Sequence, residues 1–291
     1  MKLSVDGREA YAYTGGKPFD PALPCVVFVH GAMHDHSCWT LLARWCAHHG
    51  HSVLAVDLPA HSRSAGPPRA DVEDLAGWLL ALLDAAGVAR ATLVGHSMGS
   101  LVALEATGRA PQRVDRLVMM GTAYPMQVAP ALLAVAEADP LRAIDMVNAW
   151  SHSSIAAKPS FPGPGMWLHG SNRALMRRVQ AGCREVNLFH HEFSICDRYR
   201  GGEAAMARVD CPVTCVLGQA DQMTLPAKAR DLSARLQATV HVLAAGHNLM
   251  TEAPDAVLAA LRQALAEVPT APSSTTTPTT APTTAPTTAP A

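Results

Sequence analysis

Short, almost wholly apolar runs recur along the chain at residues 26–29, 53–56, 92–94, 117–120, 213–217 and 239–243, and most of them stop at a glycine, histidine or aspartate. A strand can dispense with polar alternation only when both of its faces are covered, as in a parallel sheet packed between helices. Stretches of helical period lie between the runs. Leu75, Trp78, Leu79, Leu82 and Leu83 form one apolar face, which ends at Gly87. The pattern predicts an α/β fold with a mostly parallel central sheet flanked by helices. Residues 2–13 add a candidate hairpin at the sheet edge, turning at Asp6-Gly7.

Between Tyr124 and about Met206 the strand signal disappears, and helix-like pieces follow at 131–138, 141–150 and 173–189, interrupted by the Pro/Gly-rich stretch 159–165. The break predicts a helical cap inserted into the core. The expected organisation is a first part of the core at 1–124, a cap at 125–206, a second part of the core at 207–267 and a Thr/Ala/Pro tail at 268–291. The tail's composition buries too little apolar surface to offset backbone ordering and is expected to be disordered. The cap's Met126, Met146, Trp150, Phe161, Met166, Trp167, Met176 and Phe189 exceed what single helix faces need, so they are divided between core packing and pocket lining.

Hydrophobic residues make up 49% of the chain, charged residues 16%, and the formal net charge is -1. That balance argues against nucleic acid and anionic membrane surfaces and suits a small, largely neutral substrate. A monomer or homodimer is expected. No run approaches the roughly 18 apolar residues of a membrane span, and the first residues lack the apolar stretch of a secretory signal, so a cytoplasmic location is expected. The seven cysteines form no CxxC pair and read as reduced thiols. The 14 histidines include no HExxH spacing, so no metal is expected. His34 and His36 are expected at a pocket entrance.

Gly95-His96-Ser97-Met98-Gly99 is a GxSxG pentapeptide between an apolar strand and a helical stretch. In that position small residues permit a sharp turn that exposes the serine at a helix N-terminus. A serine hydroxyl needs a base, and the base needs a carboxylate to orient it. Asp221 follows the strand at 213–217, and His247 follows the strand at 239–243. The order Ser97, Asp221, His247, each after a different strand, makes these the candidate catalytic residues. An oxyanion hole requires two N–H donors. The Met98 amide is one candidate; Ala32, in His30-Gly31-Ala32-Met33, is the other, ahead of Met33. Met33, His96, Met126, Trp150 and Trp167 are the pocket candidates.

The set resembles the α/β-hydrolase superfamily, in particular its capped serine esterase, C–C hydrolase and haloperoxidase-like branch. The resemblance covers most of residues 25–265 and rests on His30-Gly31 with Trp39, on the segment 57–64, on 95–99, on 218–221, and on Gly246-His247 followed by Glu252-Ala253-Pro254. In the second segment Ala60 and Ser62 stand where such enzymes carry glycines. The resemblance implies the α/β-hydrolase fold, a cap after the sixth strand, no cofactor, and catalytic positions at Ser97, Asp221 and His247. Epoxide hydrolases and dehalogenases of this fold carry aspartate at the elbow, so Ser97 implies attack on a carbonyl through an acyl-serine. An esterase for a small apolar substrate is the first expectation. A C–C hydrolase acting on a carboxylate-bearing ketone would need inward-facing arginines among Arg142, Arg173, Arg177, Arg178 and Arg184. A ligand sensor retaining the triad would bind without multiple turnover, and a lyase or acyltransferase would prefer an acceptor other than water.

Overall fold

The computed structural model describes residues 1–154 and 167–266. Phe161, Met166, the stretch 159–165 and the tail 268–291 lie outside the described residues. The strands are β1 (Lys2–Val5), β2 (Arg8–Tyr13), β3 (Cys25–Val29), β4 (Ser52–Val56), β5 (Ala91–His96), β6 (Val114–Met120), β7 (Val213–Gly218) and β8 (Thr239–Leu243). They form one eight-stranded sheet in the order β1-β2-β4-β3-β5-β6-β7-β8. β1 and β2 form the antiparallel hairpin at one edge, joined to β4, and every pairing from β4 onward is parallel. The chain is therefore α/β, with a mostly parallel sheet as the apolar runs predict.

Helices α1 (Thr40–His48), α2 (Val72–Ala85) and α3 (Met98–Arg109) alternate with the first core strands. Between β6 and β7 come α4 (Pro130–Ala138), α5 (Pro140–Trp150), α6 (Leu168–Gly182), α7 (Leu188–Arg198) and α8 (Gly202–Met206). The chain then adds α9 (Arg230–Arg235), α10 (Leu249–Glu252) and α11 (Pro254–Ala266). Successive strand residues point to opposite faces. Val27 and Val29 pack with α2 and α3, whereas Val26 and Phe28 pack with α1 and α11. A third cluster lies among α4–α7, with Ile144, Met176 and Phe189 at its centre. α8 packs instead with the α2–α3 cluster. Among the described residues no helix is long and apolar enough to cross a membrane.

Two local readings need correction. The helix-like stretch at 173–189 is two helices: α6 ends at Gly182, and α7 restarts where the Asn187 side chain caps it by accepting the His190 N–H at 3.1 Å. β8 is not doubly covered, because the strand order leaves it at the sheet edge with Val240 and Val242 exposed.

Ala60 and Ser62 keep the left-handed backbone that glycines would supply, with φ of 69° and 44°. Asp57 holds this loop by accepting the Arg63 N–H at 3.1 Å, while Ser64 Oγ donates to the Asp57 carbonyl at 2.6 Å. Left-handed backbone costs a non-glycine residue about 1–2 kcal/mol, against the roughly 0.5–1 kcal/mol of extra chain entropy that a glycine loses on folding. Ala60→Gly is therefore expected to leave stability unchanged or raise it by up to about 1 kcal/mol, read from urea unfolding.

Candidate active site

β3 and β5 are neighbours with Val29 opposite Gly95, so the segments leaving their C-terminal ends emerge side by side. Strand order reverses here, with β4 on one side of β3 and β5 on the other, and open α/β sheets form their crevices at such points. Gly218 pairs with Leu243, bringing the loops after β7 and β8 together in the same way. The edge thus gathers the segments carrying Ala32, Ser97, Asp221 and His247.

Ser97 caps α3 at φ 51° and ψ -121°, a strained conformation for a residue with a side chain. Its N–H donates to the Met120 carbonyl at 2.9 Å, and its own carbonyl accepts from Ser100 N and Ser100 Oγ at 2.8 and 2.6 Å. Close approach explains the glycines. A Cβ on Gly95 would overlap the Gly99 backbone, one on Gly99 would overlap the Val29 carbonyl, and one on Gly31 would come within 3.1 Å of Ser97 Cβ.

His247 Nδ1 donates to Asp221 Oδ2 at 2.8 Å, leaving Nε2 as the ring nitrogen available to a hydroxyl. His247 and Ser97 line the same cavity, and no hydrogen bond joins them among the described residues. The Asp221 carboxylate also accepts from the Met223 and Thr224 amides at 2.7 and 2.8 Å and from Thr224 Oγ1 at 2.7 Å. Burial works against its charge, but His247 and the Thr224 bonds outweigh burial and hold its pKa below the ordinary carboxylate value. The histidine loop is pinned on every side. Gly246 N–H donates to Glu252 Oε1 at 3.0 Å, Asn248 N–H to the Ser151 carbonyl at 2.9 Å, and His96 Nε2 to the His247 carbonyl at 2.9 Å. Burial, with the nearby His247 and His34 rings, pushes the His96 pKa well down, consistent with a neutral ring donating through Nε2.

Among the oxyanion candidates, the Met33 amide is taken: it donates to the buried Glu192 carboxylate at 2.7 Å. Ala32 and Met98 are the backbone donors without such a partner among the described residues, and Ala32 lines the cavity beside Ser97.

The cavity, of about 210 Å³, is lined by His96, Met126 and Trp150 from the pocket candidates. Met33 and Trp167 do not line it. Met33 is fully buried in the apolar cluster among α4–α7 with φ 61°, and Trp167, 50% exposed, stacks on His169. Sequence reasoning missed Val128, Leu132, Val147 and Phe193, which complete an apolar wall. His34 lines the cavity, but His36 is drawn away, with Nδ1 on Asp57 Oδ1 at 2.7 Å and its ring edge on Tyr11. None of the five candidate arginines lines the cavity: Arg173 and Arg177 pair with Asp145, and Arg178 with Asp35. Asp35, His36 and Asp57 lie close enough together to hold an ion, but their oxygens are engaged by Ser37, Arg178, His36 and the Arg63 N–H. Thr224 and Glu192 also escaped the sequence reading. The signal for Glu192 is an acid on the apolar face formed by Leu188, Phe189, Phe193 and Cys196.

The sequence profile of the Alpha/beta hydrolase family matches residues 26–260. The chain belongs to this family. It is 27% identical to esterase YbfF of Escherichia coli (strain K12) over 91% of this chain and 99% of that protein. It is 41% identical to the dihydrolipoyllysine-residue acetyltransferase component of the acetoin cleaving system of Pseudomonas putida, over 42% of this chain and only 32% of that protein's length. In fold it is similar to the enol-lactonase from Burkholderia xenovorans LB400, with a TM-score of 0.75, 20% identity, and coverage of 92% of this chain and 100% of that one. Family membership and the full-length likeness to an esterase make the chain an esterase-like hydrolase.

Because the Asp221 pKa is depressed, its contribution to stability is present above the unfolded pKa and is lost as pH falls through the folded value. Asp221→Asn is thus expected to be less stable than wild type near neutrality, with the gap closing between about pH 7 and about pH 3. Urea midpoints at the two pH values check it; a gap that widens toward acid contradicts the assigned sign.

Proposed function

We propose that the protein hydrolyses an ester or related carbonyl bond of a small, mainly apolar substrate through an acyl-serine intermediate. The observation that carries this reading is the Asp221–His247 hydrogen bond of 2.8 Å at the wall of a cavity into which the strained Ser97 also opens. In the proposed sequence His247 Nε2 takes the Ser97 proton as Oγ attacks the carbonyl carbon. Asp221 keeps Nδ1 protonated and offsets the charge that the ring gains. The tetrahedral oxyanion accepts from the Met98 and Ala32 amides, the first of which also feels the positive end of the α3 dipole. His247 then protonates the leaving oxygen, and the bond to it breaks. In the second half His247 removes a proton from water, the hydroxide adds to the acyl carbon, His247 returns the proton to Ser97 Oγ as the acyl–oxygen bond breaks, and the acid departs.

The apolar wall of Met126, Val128, Leu132, Val147, Trp150, Met176 and Phe193 supports a small uncharged acyl or alkyl group as the part recognised. A carboxylate-bearing ketone is the weaker match, because none of the five arginines that could receive its charge lines the cavity, and Arg173, Arg177 and Arg178 are engaged with Asp145 and Asp35. The reading calls for a small-molecule substrate and for no cofactor, since the triad itself handles every proton. A sensor would instead bind a ligand in this cavity without multiple turnover.

Steady-state hydrolysis of a p-nitrophenyl ester chain-length series, with mass spectrometry of a fluorophosphonate adduct, tests the proposal. Ser97→Ala is expected to lower kcat by roughly 10⁴-fold or more and to abolish the adduct. Asp221→Asn is expected to lower kcat by about 10⁴-fold while leaving Ser97 in place. Ester turnover unchanged in Ser97→Ala, or a label on another residue, would sink the nucleophile assignment.

A further inference from the structure

A carboxylate inside an apolar helix cluster is costly unless its charge is matched, and replacing a buried ion pair by packed apolar groups is often neutral or stabilising. Glu192 of α7 is such a group. It is 3% exposed, on the helix face that carries Leu188, Phe189 and Phe193 into the cap cluster. Stability alone therefore gives little reason for it. Its two oxygens are spent on two loops of the core. Oε2 accepts the Met33 N–H at 2.7 Å, across 159 residues of sequence. Oε1 lies 2.9 Å from His61 Nε2, off the N–H direction, so that contact is held by charge more than by a directed hydrogen bond. His61 Nδ1 donates to the Pro59 carbonyl at 3.0 Å, so both ring nitrogens face oxygens, as an imidazolium requires.

The Met33 N–H belongs to the same peptide plane as the Ala32 carbonyl, and that carbonyl accepts from His34 Nδ1 at 2.9 Å. The plane is thus gripped at both ends, by Glu192 on its nitrogen and by His34 on its oxygen. Met33 is held at φ 61°, and its side chain is fully buried in the cap cluster. With this plane fixed, the Met33 amide is turned toward the cap, and the preceding amide, that of Ala32, is the one left for the cavity.

We propose that Glu192 is a positioning residue of the hydrolytic site: by accepting the Met33 N–H it locks the loop after β3 so that the Ala32 amide faces the oxyanion, making the cap a structural part of the oxyanion hole. The inference rests on the reading of Ser97 as nucleophile and of Ala32 as an oxyanion donor. A donor displaced by about 1 Å costs roughly 10²-fold in rate, and loss of the donor costs about 10²–10³-fold.

The test compares wild type with Glu192→Leu, which fills the space without an acceptor, and Glu192→Gln, which keeps an oxygen for the Met33 amide. For p-nitrophenyl acetate hydrolysis, Glu192→Leu is expected to lose about 10²-fold in kcat with KM changed less than about threefold, and Glu192→Gln to recover most of the loss. A change in KM alone, unchanged kcat in Glu192→Leu, or equal kcat losses in the two variants would overturn the role. Amide hydrogen exchange on the wild type supplies a check that needs no variant to fold: Met33 is expected to be protected, and a freely exchanging Met33 amide also overturns it. Ser97→Ala in the same assay separates the two assignments. Turnover surviving there sinks the nucleophile, whereas loss there with unimpaired Glu192→Leu sinks only the positioning role.

Discussion

The turn between β5 and α3 holds Ser97 at φ 51°, and that conformation exists because three stretches of backbone meet around it with no side chain between them. Gly95 touches the Gly99 backbone, Gly99 touches the carbonyl of Val29, and Gly31 leaves room for Ser97 itself. Strain of this kind costs of order 1–3 kcal/mol and persists only where the surroundings over-determine it. Here the Ser97 N–H bond to Met120 and the double grip of Ser100 on the Ser97 carbonyl supply that determination. The Gly31 approach seats the start of the loop after β3 against the same turn.

Around that turn the site is assembled by polar ties between elements far apart in the chain. Gly246 is held by Glu252, Asn248 by Ser151 at the end of α5, and the His247 carbonyl by His96. On the opposite side Asn172 of α6 bonds His34 at 2.8 Å and Asn148 of α5 at 2.9 Å. Each tie satisfies a buried polar group that would otherwise cost free energy, so α5 and α6 are fastened to the loops after β3 and β8 by requirement as well as by apolar packing. Arg173 and Arg177 take the contrary path. They meet Asp145 at the outer surface, where such pairs contribute little to stability, and they leave the cavity wall apolar.

Much of this was legible in the sequence, for reasons that differ by residue. The strand cores were readable because burial on both faces removes polar alternation, and β8 misled because an edge strand of valines reads the same as an inner one. Ala60 and Ser62 broke the glycine pattern, yet the backbone kept its left-handed turns, since Asp57 and Ser64 hold the loop from both ends. Met33 was a pocket candidate, and with a left-handed φ its side chain lies in the α4–α7 cluster instead. Trp167 and His36 failed for the same reason: hydrophobicity and proximity in sequence carry no direction, and ring partners at His169 and Tyr11 supplied one.

Local chemistry and periodicity were determined by the sequence alone: the α/β alternation, the glycine-bounded serine, and the order in which serine, aspartate and histidine follow their strands. These are short-range properties, since a turn, a strand or a helix face is specified by residues a few positions apart. Which amide is taken by a carboxylate, which residues of α4–α7 wall the cavity and where the acid on an apolar helix face lands were decided only by tertiary structure. The Met33 to Glu192 bond spans 159 positions, and no local pattern encodes the meeting of groups so far apart. Only the packing of α7 against the loop after β3 brings that carboxylate to that amide.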